Sequence, residues 1–138
     1  MSIEKLVLEN LLYNESYARR VLPFLKEEYF GDLSQKHVYT LIHGFYNDYN
    51  KPPTREVLDL SINGSTTMNQ KQVEDCTSLV NVLSSDNKQD EQWLVDETEK
   101  FCKDKAIYNA ILESIHIIEG KNKAKTTDAL PSILSDAL

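Results

Sequence analysis

Glycine and proline are scarce in this chain, with four of each among 138 residues. Together they reach about half of the share expected in an average protein, which leaves little turn material for a many-stranded sheet. Basic residues are also outnumbered, because 15 Lys and Arg face 22 Asp and Glu and give a formal net charge of −7. This argues against a protein that wraps nucleic acid with its whole surface, since such binding depends on cations that neutralise phosphates. The composition predicts a mostly helical domain.

Long apolar runs are missing as well. The most apolar stretch, 106–118, is interrupted by Glu113 and is shorter than the roughly 20 residues that a bilayer span needs. The first ten residues include two glutamates and no small-residue cleavage site, so a secretory signal is not expected. With only Cys76 and Cys102 present, buried thiols are a better interpretation than a disulfide or a metal site. We therefore expect a cytoplasmic protein without a membrane partner.

The amino-acid sequence shows no motif for catalysis. None of the four glycines begins a G-x-x-x-x-G-K-[ST] loop, the loop that cradles nucleotide phosphates. The histidines His37, His43 and His116 have no Cys or carboxylate partners at metal-ligand spacing. We expect no catalytic residue, no cofactor-binding residue, no metal ligand and no ATP turnover in this chain.

Apolar positions at helical spacing predict five helices, then a long sixth and a final short one. The predicted segments are 3–13, 15–22, a short helical turn within 23–30, 35–49, a helix after Thr54, one from Asn69 to about 83, 90–119, and one beginning at Pro131. Ser34 is the expected N-cap of the third helix, and Tyr49 is expected on its buried side. The fold class is thus all-α: a helical bundle in 1–89, then the long helix and a hairpin or start of a linker in 90–138.

The long helix carries more apolar surface than the first five helices can cover. Its positions approximate a seven-residue step, and the predicted oligomer or partner interface consists of Phe101, Tyr108, Ile111, Leu112, Ile115 and Ile118. Two arrangements stay open, and both can hold together. The final helix, reached through a polar hinge at 121–126, folds back on the stripe, or another subunit covers it.

Four stretches of the sequence resemble the N-terminal domain of DnaB-like replicative DNA helicases, most closely the version in T-even-type bacteriophages. These stretches are 6–13 leading to 28–30, 39–42 leading to 49–53, the run Trp93–Glu99, and 130–138. The pattern Trp-Leu-Val-x-Glu-Thr-Glu at 93–99 is the most specific of them. The likeness spans essentially the whole chain.

The resemblance implies a role in assembly and recruitment during DNA replication. In this family the domain is a helical bundle followed by a hairpin; the hairpins pair, and the pairs form the collar of a hexameric ring. Members use this tier to engage primase and, in phages, a helicase loader. ATP and Mg would belong to an ATPase domain that this chain lacks, and single-stranded DNA would be contacted only through the full-length ring.

Other functions stay open. The chain also fits a stand-alone helical adaptor, a single-strand-binding or loader-like replication protein, or the helicase-binding domain of a primase, which shares this fold. A start methionine followed at once by the first helix favours the helicase.

Overall fold

The computed structural model describes residues 2–122 and 124–138. The start methionine and Lys123, which belongs to the predicted hinge at 121–126, lie outside the described residues. The described residues form α-helices and two short 3₁₀ turns but no strand, so the predicted all-α class is confirmed. The helices are α1 (Ile3–Tyr13), α2 (Glu15–Val21), α3 (Leu33–Tyr49), α4 (Arg55–Asn63), α5 (Gln70–Val82), α6 (Glu91–Ile118) and α7 (Leu130–Ala137), with 3₁₀ turns at Glu27–Tyr29 and Thr127–Ala129.

The chain forms two compact units. The first runs up to Thr98, and the second comprises Glu99–Leu138. Helix α6 therefore begins in the first unit and ends in the second. The predicted division into a helical bundle at 1–89 and a long helix with a hairpin or start of a linker at 90–138 stays a prediction.

The helices of the first unit begin where short polar side chains bind free backbone N–H groups. The carbonyl oxygen of the Asn69 side chain, for example, accepts from the Gln72 N–H at 2.9 Å. The predicted cap at Ser34 is wrong, because α3 begins one residue after Asp32, whose carboxylate accepts from the Gln35 N–H at 3.1 Å. The Ser34 hydroxyl donates to the same carboxylate. Both hydrogen bonds lower the pKa of Asp32, and the bond from the Ser34 hydroxyl has the larger effect. An aspartate at this position also complements the positive end of the helix dipole.

Helix α3 lies at the centre of the first unit and packs against α1, α4 and α5. Val38 and Ile42 are fully buried. The prediction for Tyr49 is wrong, since this side chain is 63% exposed. Tyr39 and Tyr46 are buried in its place, and their hydroxyls donate to the carbonyls of Leu25 and Leu11 at 3.1 and 3.3 Å. The buried face is therefore turned slightly from the predicted one, because these tyrosines find carbonyl acceptors in the core.

The segment after Pro23 supplies core side chains to the same unit. Leu25, Tyr29 and Phe30 are buried. The ring of Phe30 stacks on Tyr39 with centroids 5.1 Å apart.

No helix of the described residues is both long and apolar enough to cross a bilayer.

Candidate interaction surface

The predicted interface residues of the second unit lie on one side of α6. Residues 108, 111, 112, 115 and 118 follow the three- and four-residue spacing that places side chains on one helical face. Their exposed fractions are 59% for Tyr108, 48% for Ile111, 40% for Leu112, 44% for Ile115 and 66% for Ile118. We call these five residues the apolar stripe.

The buried side of the same helix faces away from the apolar stripe. Ala110, Ser114 and Ile117 are each no more than 7% exposed. Ile117 is two residues from Ile115, which places their side chains about 200° apart around the helix. The Ser114 hydroxyl is satisfied within the helix, because it donates to the Ala110 carbonyl at 2.7 Å. The chain therefore buries one side of α6 here and leaves the stripe open.

Phe101 differs from the other predicted interface residues. It stands seven residues before Tyr108, yet it is only 6% exposed. The structure thus brings five of the six predicted residues together on an open surface and buries the sixth. Whether these residues form an interface stays a prediction.

A glycine fixes the end of α6 just beyond the apolar stripe. Gly120 has a φ of 75°, in the left-handed region that favours glycine. The N–H of Lys121 donates to the His116 carbonyl at 2.8 Å, and that of Gly120 donates to the Ile117 carbonyl at 3.0 Å. This is the hydrogen-bond pattern of a Schellman motif, and it ends α6 close to the predicted end at residue 119.

A shallow cavity of about 570 Å³ adjoins this end of the stripe. Leu112, which belongs to the stripe, forms part of its wall together with His116 and Lys121. At its edge the Lys125 ammonium lies 2.7 Å from a Glu113 carboxylate oxygen. The surface next to the stripe is therefore polar and ionic, as the rim of a protein interface commonly is.

Sequence reasoning missed a buried carboxylate in the first unit. Glu9 is only 1% exposed, although it carries a charge within the leucine-rich α1. One of its oxygens accepts from the Ser84 N–H at 2.7 Å and from the Asn87 side-chain amide at 3.2 Å. The one signal in the sequence is its position, because Glu9 falls between leucines at a spacing that places it on the apolar side of α1. It holds the connection between α5 and α6.

The most specific motif of the sequence lies on the first two turns of α6. Leu94, Val95 and Thr98 are buried, whereas Trp93 is 47% exposed. The Thr98 hydroxyl donates to the Leu94 carbonyl at 2.7 Å and lies 2.6 Å from the Tyr17 hydroxyl. Since Thr98 has only one hydroxyl proton, Tyr17 is the donor between the two hydroxyls.

Both cysteines are free and buried, as predicted. Burial is the main cause that raises the pKa of Cys102 to about 12, and Glu99 adds to it. The pKa of Cys76 is also raised, again mainly by burial. Thiols of this kind are poor nucleophiles at neutral pH. Within residues 2–122 and 124–138, no three His, Cys, Asp or Glu side chains group as metal ligands do.

Comparison with known proteins shows what this chain is similar to. No family model matches the chain. The chain is 29% identical, over 143 residues, to a DnaB-like replicative helicase of Enterobacteria phage T4. This similarity confirms the predicted resemblance. The match covers 97% of this chain but 30% of that helicase, so the chain spans less than a third of its relative's length.

Proposed function

We propose that this chain is the N-terminal assembly and partner-docking domain of a phage replicative DNA helicase. Its similarity to the helicase of phage T4 supports this function, and so does the open apolar stripe on α6. A patch of five neighbouring apolar side chains that none of the described residues covers is typical of a protein interaction site. The stripe is the single structural observation that carries the proposal.

In the proposed assembly, α6 of one copy pairs with a second copy through the stripe. Such pairs form the collar of a hexameric ring, and the same tier recruits primase and the helicase loader in the cytoplasm of the infected host. The contribution of this domain is buried area and shape complementarity. ATP and Mg act only in a separate ATPase domain, through which the complete ring acts on single-stranded DNA.

Sedimentation equilibrium of the purified chain tests the pairing. We expect self-association of the unaltered chain at high concentration and a monomer for the double variant Ile111→Asp/Ile115→Asp. Truncating a central apolar anchor typically costs an interface about 2 kcal/mol or more, and a buried unpaired carboxylate costs more still. A chain that stays monomeric throughout would contradict pairing by this domain alone.

The matched control places the same change on another exposed apolar pair. Leu60 and Val82 lie on α4 and α5 and are 75% and 53% exposed. We expect Leu60→Asp/Val82→Asp to self-associate like the unaltered chain. Circular dichroism of all three proteins verifies that the helices are retained.

Binding to oligonucleotides separates this function from a single-strand-binding protein. The net charge of −7 leads us to expect weak binding of a single-stranded oligonucleotide by the isolated chain. Tight binding that weakens steeply with salt would favour the single-strand-binding function instead.

A further inference from the structure

Two side chains of opposite charge stand at the two ends of one edge of the apolar stripe. Lys105, Leu112 and Glu119 are spaced at seven residues, close to two full turns of helix, so their side chains lie along one line. Glu119 continues the helical turn, because its N–H donates to the Ile115 carbonyl at 2.9 Å. We call these three residues the charged edge. It carries a positive charge at one end, a leucine in the middle and a negative charge at the other end.

The contacts of these two charges within the chain are exposed ones. The Lys105 ammonium lies 5.6 Å from the centroid of the Tyr108 ring, which keeps it beside the stripe. A Glu119 carboxylate oxygen lies 2.8 Å from the Lys121 ammonium, and both side chains of this pair are largely open to solvent. Exposed ion pairs of this kind contribute little to stability. Glu119 can therefore exchange Lys121 for another cation at small cost.

A second copy placed antiparallel on the stripe presents a matching apolar surface. In the register where Tyr108 lies beside Ile118 of the second copy, Ile111 lies beside its Ile115. The twofold axis that relates two such helices keeps their charged edges on the same side, so Leu112 meets Leu112 of the second copy near the axis. This register covers all five residues of the stripe in both copies.

The same register brings opposite charges together. Lys105 lies opposite position 121 of the second copy, and Glu119 of that copy is two residues away, about 3 Å along the helix axis. The long lysine side chain spans this offset. The symmetry repeats the contact at the other end of the interface. Parallel copies would instead place Lys105 level with Lys105 of the second copy, so that equal charges lie side by side.

We propose that reciprocal ion pairs between Lys105 and Glu119 fix two copies of this chain in an antiparallel register across the apolar stripe. The stripe supplies the buried area, and the charged edge selects the orientation, because charges across an interface contribute to specificity more than to affinity. The inference rests on the pairing proposed above and goes beyond it by naming the orientation and the two residues that set it.

Exchanging the two charges tests the ion pairs. In Lys105→Glu or Glu119→Lys alone, both pairs of a homodimer become like-charge contacts. We expect the dissociation constant of each variant, measured by sedimentation equilibrium at low salt, to rise about tenfold or more. An equimolar mixture forms heterodimers in which both pairs attract again, so its affinity should return to within about threefold of that of the unaltered chain. Added salt should reduce these differences.

A matched control separates the ion pairs from net charge. Lys103→Glu makes the same change of charge as Lys105→Glu, at an exposed position two residues away and about 200° around the helix. We expect it to change the dissociation constant less than about threefold. Circular dichroism of every variant verifies that the helices are retained.

Disulfide formation between introduced cysteines reports the orientation directly. In the antiparallel register the two copies of Tyr108 stand ten residues, about 15 Å, apart along the axis. A disulfide requires Cα atoms about 4.4–6.8 Å apart. We expect a mixture of Tyr108→Cys and Ile118→Cys to give an oxidised dimer with one chain of each variant, and either variant alone to give little. The unaltered chain, whose Cys76 and Cys102 are buried, is the control.

Three results would overturn the inference, and they differ in what else they contradict. Efficient cross-linking of Tyr108→Cys to itself would show parallel pairing, which leaves pairing through the stripe intact. A mixture of the two charge variants that associates no better than either variant alone would show that Lys105 and Glu119 do not meet. An unaltered chain that stays monomeric would contradict the pairing by this domain together with its orientation.

Discussion

Replacing Glu9 by Gln changes a single buried charge of the first unit while keeping its shape. The Glu9 carboxylate is 1% exposed, and its second oxygen accepts only a long bond of 3.5 Å from the Asn87 amide. Its first oxygen accepts two shorter bonds, from the Ser84 N–H and from the same Asn87 amide. A glutamine can place its carbonyl oxygen at that position, so both bonds persist without the charge. We expect the variant to fold with the same helices and with reduced stability.

The size of the loss follows from these contacts. Hydrogen bonds to charged groups contribute about 1.5–3 kcal/mol each, and neutral ones about 1 kcal/mol. The substitution also removes the cost of burying a charge, which offsets part of the loss. We therefore expect the free energy of unfolding to fall by about 1–2 kcal/mol in Glu9→Gln. In Glu9→Ala we expect a fall of about 3 kcal/mol, because the Ser84 N–H then loses its partner and a cavity forms.

Urea unfolding followed by Trp93 fluorescence measures these changes, since Glu9 and Trp93 belong to the same compact unit. Glu74→Gln, on the exposed surface of α5, is the matched control and should stay within about 0.5 kcal/mol of the unaltered chain. If Glu9→Gln were as stable as the unaltered chain, or more stable, the cost of burying the carboxylate would exceed the gain from its charged hydrogen bonds. The proposed stabilising effect of the Glu9 charge would then be refuted, whereas an unchanged stability in Glu9→Ala would refute its role in holding the 84–87 segment.

The remaining predictions concern three side chains. Tyr17→Phe removes the donor to Thr98 and should lower the free energy of unfolding by about 1–2 kcal/mol in the same urea assay, while Phe at this position keeps the ring packing. Gly120→Ala places a side chain at a φ of 75° and should lower the stability of the end of α6 by about 1 kcal/mol. We expect faster hydrogen exchange in the last turn of α6. Unchanged exchange there would contradict the role of Gly120 in ending the helix. Cys102, with its pKa raised to about 12, should react with a thiol reagent at pH 8 far more slowly in the folded chain than in urea. The unfolded thiol has a pKa near 8.5, which is below that of the buried Cys102 thiol. The contribution of this thiol to stability is therefore complete below that pH and is lost as the pH rises towards 12. We expect Cys102→Ala to lose less stability than the unaltered chain over this range.

The prediction of the helices depended on signals that are local in the chain. The spacing of apolar residues located α1 at Ile3–Tyr13, and the lack of breakers after Asp90 predicted the long α6. The errors concern neighbouring residues that could each take the same role, and the spacing of apolar residues does not decide between them. Asp32 rather than Ser34 caps α3, because the aspartate stands at the position where its carboxylate reaches the Gln35 N–H. Tyr46 rather than Tyr49 enters the core, because its hydroxyl has an acceptor in the Leu11 carbonyl.

The candidate interaction surface on α6 was likewise predicted only in part. The sequence alone identified an excess of apolar positions on α6, and only the tertiary structure determined which of them are open. Phe101 and Tyr108 stand in the same register, yet one is buried and the other is 59% exposed. Periodicity reports which residues share a face, but burial depends on what else the chain brings to that face.

The amino-acid sequence by itself determined the helical class, the helix boundaries to within a few residues and the likeness to replicative helicases. Those features depend on neighbours a few residues apart or on the order of residue types. The tertiary structure decided the burial of Glu9, the burial of Phe101 and the exposure of Trp93. Glu9 and its partners are 75 to 78 residues apart in the chain, and only the packing of α1 against the segment that follows α5 brings a charge to the donors that stabilise it.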